Sequence, residues 1–247
     1  MALFDQMIKE TLDLLAPLGA RRYGFNPDRS AREGDPNDLI LKRDMAYELG
    51  EGSFSSTSLT AITQDEKIVS EDGIYVIGKE LKDLTEDGPF ARVTIIRTDD
   101  IYQKGDQAAY NLIKSLETQK FRVSPEGYMV RASAMNNREQ VRVSKKALKK
   151  GLCFEEVGNL LIKSYHVNPR VEAVSVFFIT LPEAPYTELD QLADKLSKVV
   201  KTLNHALISV SMDCRACEWK PVCDSVEGMK ELHQKQIDQA FFASQKK

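Results

Sequence analysis

Short runs of apolar residues separated by turn residues place the strongest constraint on the fold of this chain. They begin at Leu39 and lie between glycine, aspartate and serine residues, a pattern that is typical of β-strands. Five of them come early, at residues 39–41, 45–49, 58–62, 74–77 and 93–96. A later run, at residues 171–181, is rich in β-branched and aromatic side chains and is the strongest strand candidate. The sequence therefore predicts a sheet-containing fold.

Helical patterns flank and interrupt these runs. Apolar residues recur at a helical period in residues 2–16, 106–120, 155–165 and 188–203. Ser144 is expected to cap a short helix that Gly151 ends. Residues 19–37 are predicted to form a loop, and residues 207–210 a short strand. Because strands occur both in runs and between helices, the sequence predicts an α+β fold with mixed sheets and packed helices, followed by a cysteine-rich C-terminal segment.

Changes in composition along the chain divide it into four predicted segments. Residues 1–37 form an N-terminal helix and connection, 38–135 an α+β subdomain, 136–212 a second α+β subdomain, and 213–247 a cysteine-rich cluster or metal segment with a C-terminal helix. A total of 247 residues is ample for a buried core.

Composition and charge exclude several classes of protein. The formal net charge is −3, so neither nucleic acid nor an anionic membrane is an expected partner. No stretch approaches the length of an apolar membrane span, and the first residues lack the order of a secretory signal. These features predict a cytoplasmic protein. In a reducing cytoplasm, a cluster among only four cysteines is more often a metal site than a set of disulfides.

Three of the cysteines form the pattern Cys-x2-Cys-x5-Cys at Cys214, Cys217 and Cys223. A two-residue spacing in a turn lets both thiolates converge on one metal, and the next five residues let the chain loop round to deliver the third. Three thiolates suit a [4Fe–4S] cluster with one further ligand, or a zinc ion with one further ligand. Trp219 is expected to shield such a site from water. Thiols without a metal are the alternative interpretation.

The fourth ligand has two candidates. His233 follows Cys223 by ten residues and can supply an imidazole, whereas a surface histidine is the plainer alternative. Cys153 lies far upstream and would have to fold back, and a lone cysteine among apolar neighbours is usually part of a core. The sequence leaves this choice open, and with it the choice between an iron–sulfur cluster and zinc.

A basic stretch precedes the cysteines. Residues 131–150 contain seven basic residues and one acid. Arginine forks suit phosphate oxygens and lysines add point charge, so we identify four candidate phosphate-binding residues, Arg131, Arg138, Arg142 and Lys145. A solvated helix face is the alternative, because Lys145 and Lys149 stand four residues apart and would repel each other unless they pointed into water.

Several segments together resemble a known family. They are residues 44–50, 74–81, 141–151, 154–162 and 170–177. Their order and spacing are similar to those in the middle of the catalytic subunit of acetyl-CoA synthase, from the carbon monoxide dehydrogenase/acetyl-CoA synthase complex. The likeness is co-linear over residues 40–233.

This resemblance implies a cofactor and a ligand. Cys214, Cys217 and Cys223 match the first three cysteines of that subunit's [4Fe–4S] cluster, with a shorter gap between the second and the third. His233 stands where the fourth cysteine would be. The family's middle domain is associated with coenzyme A, so the resemblance also implies coenzyme A as a ligand of the basic stretch.

The resemblance does not extend to the nickel ligands. The family binds nickel through a Cys-Gly-Cys motif, and no cysteine follows Cys223 in this sequence. We therefore expect a non-catalytic or accessory relative that binds a [4Fe–4S] cluster in anaerobic corrinoid and one-carbon metabolism. Its expected partner is a corrinoid protein or another subunit of that metabolism. Whether the chain is an enzyme stays open on the sequence alone.

Two other functions stand as alternatives. A zinc ion at the same cysteines would make the segment a stapled protein-interaction module. An iron–sulfur staple nuclease also carries Cys-x2-Cys-x5-Cys, but it needs metal-binding acids followed by a lysine. Asp44 and Glu48 are the best candidates for these acids, and Gly50 stands where the lysine is required.

Overall fold

A mixed five-stranded sheet lies at the centre of the molecule. The computed structural model describes residues 3–42, 45–101, 105–132, 137–208, 218–226 and 229. The strands are β1 (Arg21–Gly24), β2 (Ala46–Leu49), β3 (Ser56–Thr63), β4 (Gly73–Ile77), β5 (Phe90–Thr98), β6 (Tyr128–Ala132), β7 (Glu139–Ser144) and β8 (Val171–Ile179). The helices are α1 (Asp5–Leu15), α2 (Asp106–Gln119), α3 (Lys145–Lys149), α4 (Phe154–Tyr165), α5 (Tyr186–Ile208) and α6 (Lys220–Ser225).

Two sheets of different character make up the fold. The central sheet has the order β1-β4-β8-β5-β3, in which β4 and β8 are parallel, β3 and β5 are parallel, and the other two pairs are antiparallel. The second sheet has the order β2-β7-β6 and is antiparallel throughout. Mixed pairing with helices between the strands confirms the predicted α+β class for the described residues.

The central position of β8 explains why its sequence is so apolar. Every residue of the strand except Glu172 is buried. The helix α4 packs against β8 and β4, where the ring of Phe154 stacks on Phe178 with centroids 4.5 Å apart. The long helix α5 packs against β3 and contacts α1 and α2. None of the described helices combines the length and the apolar character needed to cross a membrane.

Two predictions for the N-terminal part are wrong. The predicted loop at residues 19–37 contains β1, whose residues are mostly exposed, so the sequence there lacks an apolar alternation. Backbone pairing with β4 holds it as an edge strand. Residues 39–41 form no strand, and Leu39 and Leu41 are 75% and 61% exposed. A three-residue apolar run without a partner strand buries too little surface to become part of a sheet.

The predicted strand at residues 207–210 is also wrong where the structure describes it. The helix α5 continues through Ile208, and residues 209–210 lie outside the described residues. Leu203 and Leu207 are four residues apart in sequence, so the helical apolar spacing extends past the predicted end.

Strands from different predicted segments share sheets. β1, from residues 1–37, pairs with β4, and β8, from residues 136–212, lies between β4 and β5. The second sheet likewise joins β2 to β7. The predicted segment boundaries are therefore boundaries of composition that cross shared sheets, and they stay predictions as domain boundaries.

Candidate functional site

The third cysteine of the pattern lies on the last described helix. α6 follows Trp219 directly and has Pro221 in its first turn, where a missing N–H leaves no hydrogen bond unmade. The backbone N–H of Cys223 donates to the carbonyl oxygen of Trp219 at 3.1 Å, so the two residues are one helical turn apart. Cys223 is half-buried and packs against the hydrophobic core. The other predicted ligands, Cys214, Cys217 and His233, lie outside the described residues.

Trp219 places this segment beside the C-terminal half of α5. The indole helps to line a cleft of about 360 Å³ between α5 and α2. The cleft is bounded by Ser197, Val200, Lys201, Asn204 and His205 from α5 and by Tyr110, Lys114 and Glu117 from α2. The region that carries the third cysteine is therefore anchored on two helices of the fold.

Cys153 lies near the other end of α5. It directly precedes α4, where the backbone N–H of Phe154 donates to the carboxylate of Glu80 at 2.5 Å. The N-terminus of α5 lies at this same end of the sheet, because Thr180, in the segment that leads into α5, donates its hydroxyl to the carbonyl oxygen of Lys79 at 2.7 Å, next to Glu80. From there to the Trp219 cleft, α5 rises roughly 20 Å. Since metal–sulfur bonds are about 2.3 Å long, this separation speaks against Cys153 as a ligand shared with Cys223.

The surroundings of Cys153 also disfavour its thiolate form. Burial raises the pKa of the Cys153 thiol, and the nearby carboxylates of Glu156 and Glu80 raise it further, against a hydrogen bond from the Glu156 backbone. A metal ligand must be a thiolate, so this environment favours a structural thiol. Within the described ranges, no three histidine, cysteine, aspartate or glutamate side chains come together as a metal site.

The structure brings Arg131 and Arg142 together around one carboxylate. Glu48 of β2 is fully buried and lies opposite Arg142 of β7. Arg142 donates its Nε to Glu48 Oε1 and its Nη1 to the carbonyl oxygen of Ile40 at 2.8 Å. Arg131 Nη1 lies 3.1 Å from Glu51 and 3.6 Å from Glu48. Both guanidinium groups therefore already have acceptors within the protein.

The other basic candidates lie apart from this pair. Arg138 donates to the carbonyl oxygens of Phe54 at 3.0 Å and Gly50 at 3.3 Å. The ammonium of Lys145 lies 4.5 Å from the ring centroid of Tyr47. The three lysines that follow on and after α3 are exposed: Lys146, Lys149 and Lys150. This exposure agrees with the solvated-face alternative, and phosphate binding by the four candidates stays a prediction.

Glu48, one of the two acids considered for a nuclease site, already has a basic partner. The carboxylate of Glu48 accepts from Arg142 and lies in a fully buried position, which leaves it no open side toward a divalent ion. Asp44 lies outside the described residues.

Sequence reasoning missed a group of buried charges behind β3. Arg92 of β5 and Glu139 of β7 are each 1% exposed and pair at 2.6 Å, and Lys120 Nζ lies 3.3 Å from the same carboxylate oxygen. A charged residue inside an apolar strand run and a single acid within a basic stretch were the signals in the sequence. Lys120 gave no signal, because it follows a helix end where lysine is common.

The comparison with known families identifies the family. No curated protein matches the sequence. The family described as the CO dehydrogenase/acetyl-CoA synthase complex beta subunit matches residues 31–184. This range contains both sheets except β1, covers well over half of the 247 residues, and ends before α5 and before Cys214. The chain therefore belongs to the CO dehydrogenase/acetyl-CoA synthase complex beta subunit family.

Proposed function

We propose that this chain is an accessory member of its family that binds a [4Fe–4S] cluster through Cys214, Cys217 and Cys223, with His233 as the fourth ligand. The observation that supports the proposal most directly is the position of Cys223. It is a half-buried thiol on a short helix, anchored on the family fold, at the end of a Cys-x2-Cys-x5-Cys pattern. The distance of Cys153 from this helix favours His233 as the remaining ligand.

The residues present fit such a cofactor chemically. Thiolates are the preferred ligands of iron–sulfur clusters, and partial burial limits the access of water to them. The apolar side chains beside Cys223, Val222 and Val226, pack against the core and hold α6 in place. When bound, the cluster supplies one-electron transfer, with a potential that depends on the exposure and hydrogen bonding of its ligands.

We propose an accessory role because the nickel ligands of the family have no counterpart in these 247 residues. The sequence contains no Cys-Gly-Cys. The beta subunit family is named for a multi-protein complex, so we propose that this chain works in contact with a corrinoid protein or another subunit of anaerobic one-carbon metabolism. Within such an assembly, its own residues would hold the cluster and present it to that partner.

The test is the metal content of protein purified without oxygen. We expect about four irons and four acid-labile sulfides per chain, no nickel, and broad visible absorption near roughly 400 nm. The Cys217→Ala variant is expected to lose iron, sulfide and absorption together. Tightly bound nickel with exchange of CO into acetyl-CoA would contradict the accessory role.

Two matched variants identify the ligand set. Cys153→Ala is expected to keep the full iron and sulfide content, because Cys153 lies far from α6. His233→Ala is expected to lower cluster occupancy or to alter the absorption spectrum. One zinc per chain without sulfide would replace the iron–sulfur proposal with the zinc-stapled interaction module.

A further inference from the structure

The buried charges behind β3 do not balance among themselves. Burial by itself would raise the pKa of Glu139, but the charges of Arg92 and Lys120 hold that pKa below its ordinary value. The carboxylate is therefore ionised at neutral pH, and Arg92 is permanently charged. One buried carboxylate thus faces two basic groups. Burial and the neighbouring charge of Arg92 lower the pKa of Lys120, although Glu139 and the more distant Glu117 oppose this shift. When Lys120 is protonated, these three buried groups carry one excess positive charge in a region of low dielectric, where an uncompensated charge is costly.

Lys120 connects this group to a cavity that opens toward solvent. Its side chain is 10% exposed, and its Nζ lies 2.5 Å from the hydroxyl oxygen of Ser58. Both residues line a cavity of about 420 Å³, whereas Arg92 and Glu139 lie behind them. β3 forms the floor of this cavity, and the walls come from α2, α5 and the turn after α2. The excess charge therefore lies at the cavity floor.

The cavity carries hydrogen-bond donors beside this charge. Thr60 lies on the same face of β3 as Ser58, and its buried hydroxyl has no hydrogen-bond partner among the residues that the structure describes. The side chain of Asn137 also lines the cavity. A buried hydroxyl without a partner is uncommon, and the Thr60 hydroxyl therefore has a hydrogen bond left to offer to a bound group.

The acids that line the cavity already have basic partners. Glu117 lies 2.5 Å from Lys114, and Asp194 lies 3.1 Å from Lys198. Neither carboxylate forms an ion pair with Lys120 among the described residues, although Glu117 is near enough for its charge to raise the pKa of Lys120. The floor is therefore positive when Lys120 is protonated, and the apolar residues that line the cavity, Ile62, Ile113, Phe121 and Val200, suit a short carbon skeleton.

We propose that this cavity binds a small organic oxyanion, a carboxylate or phosphate group on a short carbon chain, with Lys120 as its charge partner and Thr60 as a hydrogen-bond donor. The anion balances the charge that Glu139 alone does not balance. Charge-assisted hydrogen bonds at a buried site are stronger than those at the surface. An anionic group therefore binds with a more favourable free energy here than at the exposed lysines of α3. Among the described residues, none from the cysteine segment lines this cavity, whereas Lys114, Glu117 and Lys201 line both it and the Trp219 cleft.

The test uses inorganic phosphate and acetate as probes on the intact chain, with sodium chloride at matched ionic strength as the reference. Because a ligand that binds only the folded state raises the thermal midpoint, we expect phosphate or acetate to raise it by several degrees above the chloride reference. Because phosphate also stabilises folded proteins without binding, only a shift that Lys120→Met or Thr60→Val reduces counts as binding here. Such a shift with phosphate alone assigns a phosphate group, and one with acetate alone assigns a carboxylate. Equal midpoints in all three salts would overturn the proposal.

Three variants connect the shift to this cavity. Lys120→Met is expected to weaken binding of the effective probe at least about tenfold, the loss expected for one charge-assisted hydrogen bond. Lys163→Met removes the same charge from an exposed position on α4 and is expected to bind as the parent does. If Lys120→Met does not fold, Thr60→Val removes only the hydroxyl and is expected to weaken binding several-fold. Unchanged affinity in Thr60→Val and in any folded Lys120→Met would contradict the assignment.

Discussion

At the scale of single residues, the buried pair of Arg92 and Glu139 makes the sharpest prediction for stability. Glu139→Gln keeps the shape of the side chain but leaves Arg92 and Lys120 without a counter-charge in the core. Breaking a buried ion pair from one side costs about 3–5 kcal/mol, so we expect a loss of this size in the free energy of unfolding. Urea unfolding at neutral pH measures it.

A surface pair supplies the control for this variant. Glu66 lies 3.7 Å from Arg97 but is 81% exposed, and exposed pairs contribute little. Glu66→Gln is therefore expected to change the stability by less than about 1 kcal/mol. Similar losses in the two variants would show that burial does not govern the contribution of Glu139.

The same residue predicts a pH dependence with a definite sign. The pKa of Glu139 is lower in the folded chain than its ordinary value of about 4.3. Its contribution to stability is therefore fully present above that ordinary value and is lost as the pH falls through the folded pKa. We expect the difference in unfolding free energy between the parent and Glu139→Gln to be constant from pH 7 to pH 5 and to shrink below about pH 4. A difference that grows on acidification would contradict this assignment.

At the scale of elements, the contact between α4 and β4 depends on a helical glycine. A Cβ on Gly158 would lie 2.7 Å from Cγ1 of Ile74, closer than side chains pack. Gly158→Ala gains about 1 kcal/mol of helix propensity, but overpacking against a buried strand costs about 1–3 kcal/mol. We expect a net loss of about 1 kcal/mol by thermal unfolding.

A double variant separates crowding from other effects at this contact. Ile74→Ala removes the three crowding atoms Cγ1, Cγ2 and Cδ1, so adding it to Gly158→Ala should cost less than the sum of the two single changes. Additive losses would show that the two residues do not limit how closely α4 approaches β4.

The N-terminus of α4 makes a second prediction at this scale. Cys153 precedes the helix without a side-chain cap, and Glu80 from the segment after β4 accepts the N–H of Phe154 instead. Glu80→Ala is therefore expected to cost about 1–2 kcal/mol, as for loss of a helix cap. Glu80→Gln retains an acceptor oxygen and is expected to lower the free energy of unfolding by less than Glu80→Ala does. Equal losses in the two variants, measured by urea unfolding, would contradict the role of Glu80 as a cap.

Elements that bury an apolar face could be predicted from the sequence, and elements held by backbone pairing or charge could not. The sequence runs that form β3, β4, β5 and β8 carry apolar residues of the core. The spacing of these residues therefore predicted where the strands lie. β1 is polar and exposed, and only its pairing with β4 makes it a strand. The cysteine spacing was visible in the sequence, whereas the distance of Cys153 from Cys223 and the convergence of Arg92, Glu139 and Lys120 depend on long-range folding.

At the scale of the whole molecule, we expect the fold of the family to be stable without the cysteine segment. The residues that match the family, 31–184, contain most of both sheets, and β5 and β8 are almost entirely buried among apolar neighbours. The segment around Cys223 instead rests on the outer helices α5 and α2 through α6 and Trp219. We therefore expect the core to pack without the proposed metal.

This arrangement predicts which elements lose protection from amide hydrogen exchange when the proposed metal is absent. In Cys217→Ala, we expect amide hydrogen exchange to accelerate in α6, since that helix lies next to the affected ligand and has few buried contacts of its own. Exchange in β5 and β8 is expected to stay as slow as in the parent, because global unfolding controls it there. Cys153→Ala, which leaves the proposed ligands intact, should leave α6 protected. Faster exchange throughout β8 in Cys217→Ala would show instead that the metal segment stabilises the whole fold, and unchanged exchange in α6 would separate Cys223 from the metal.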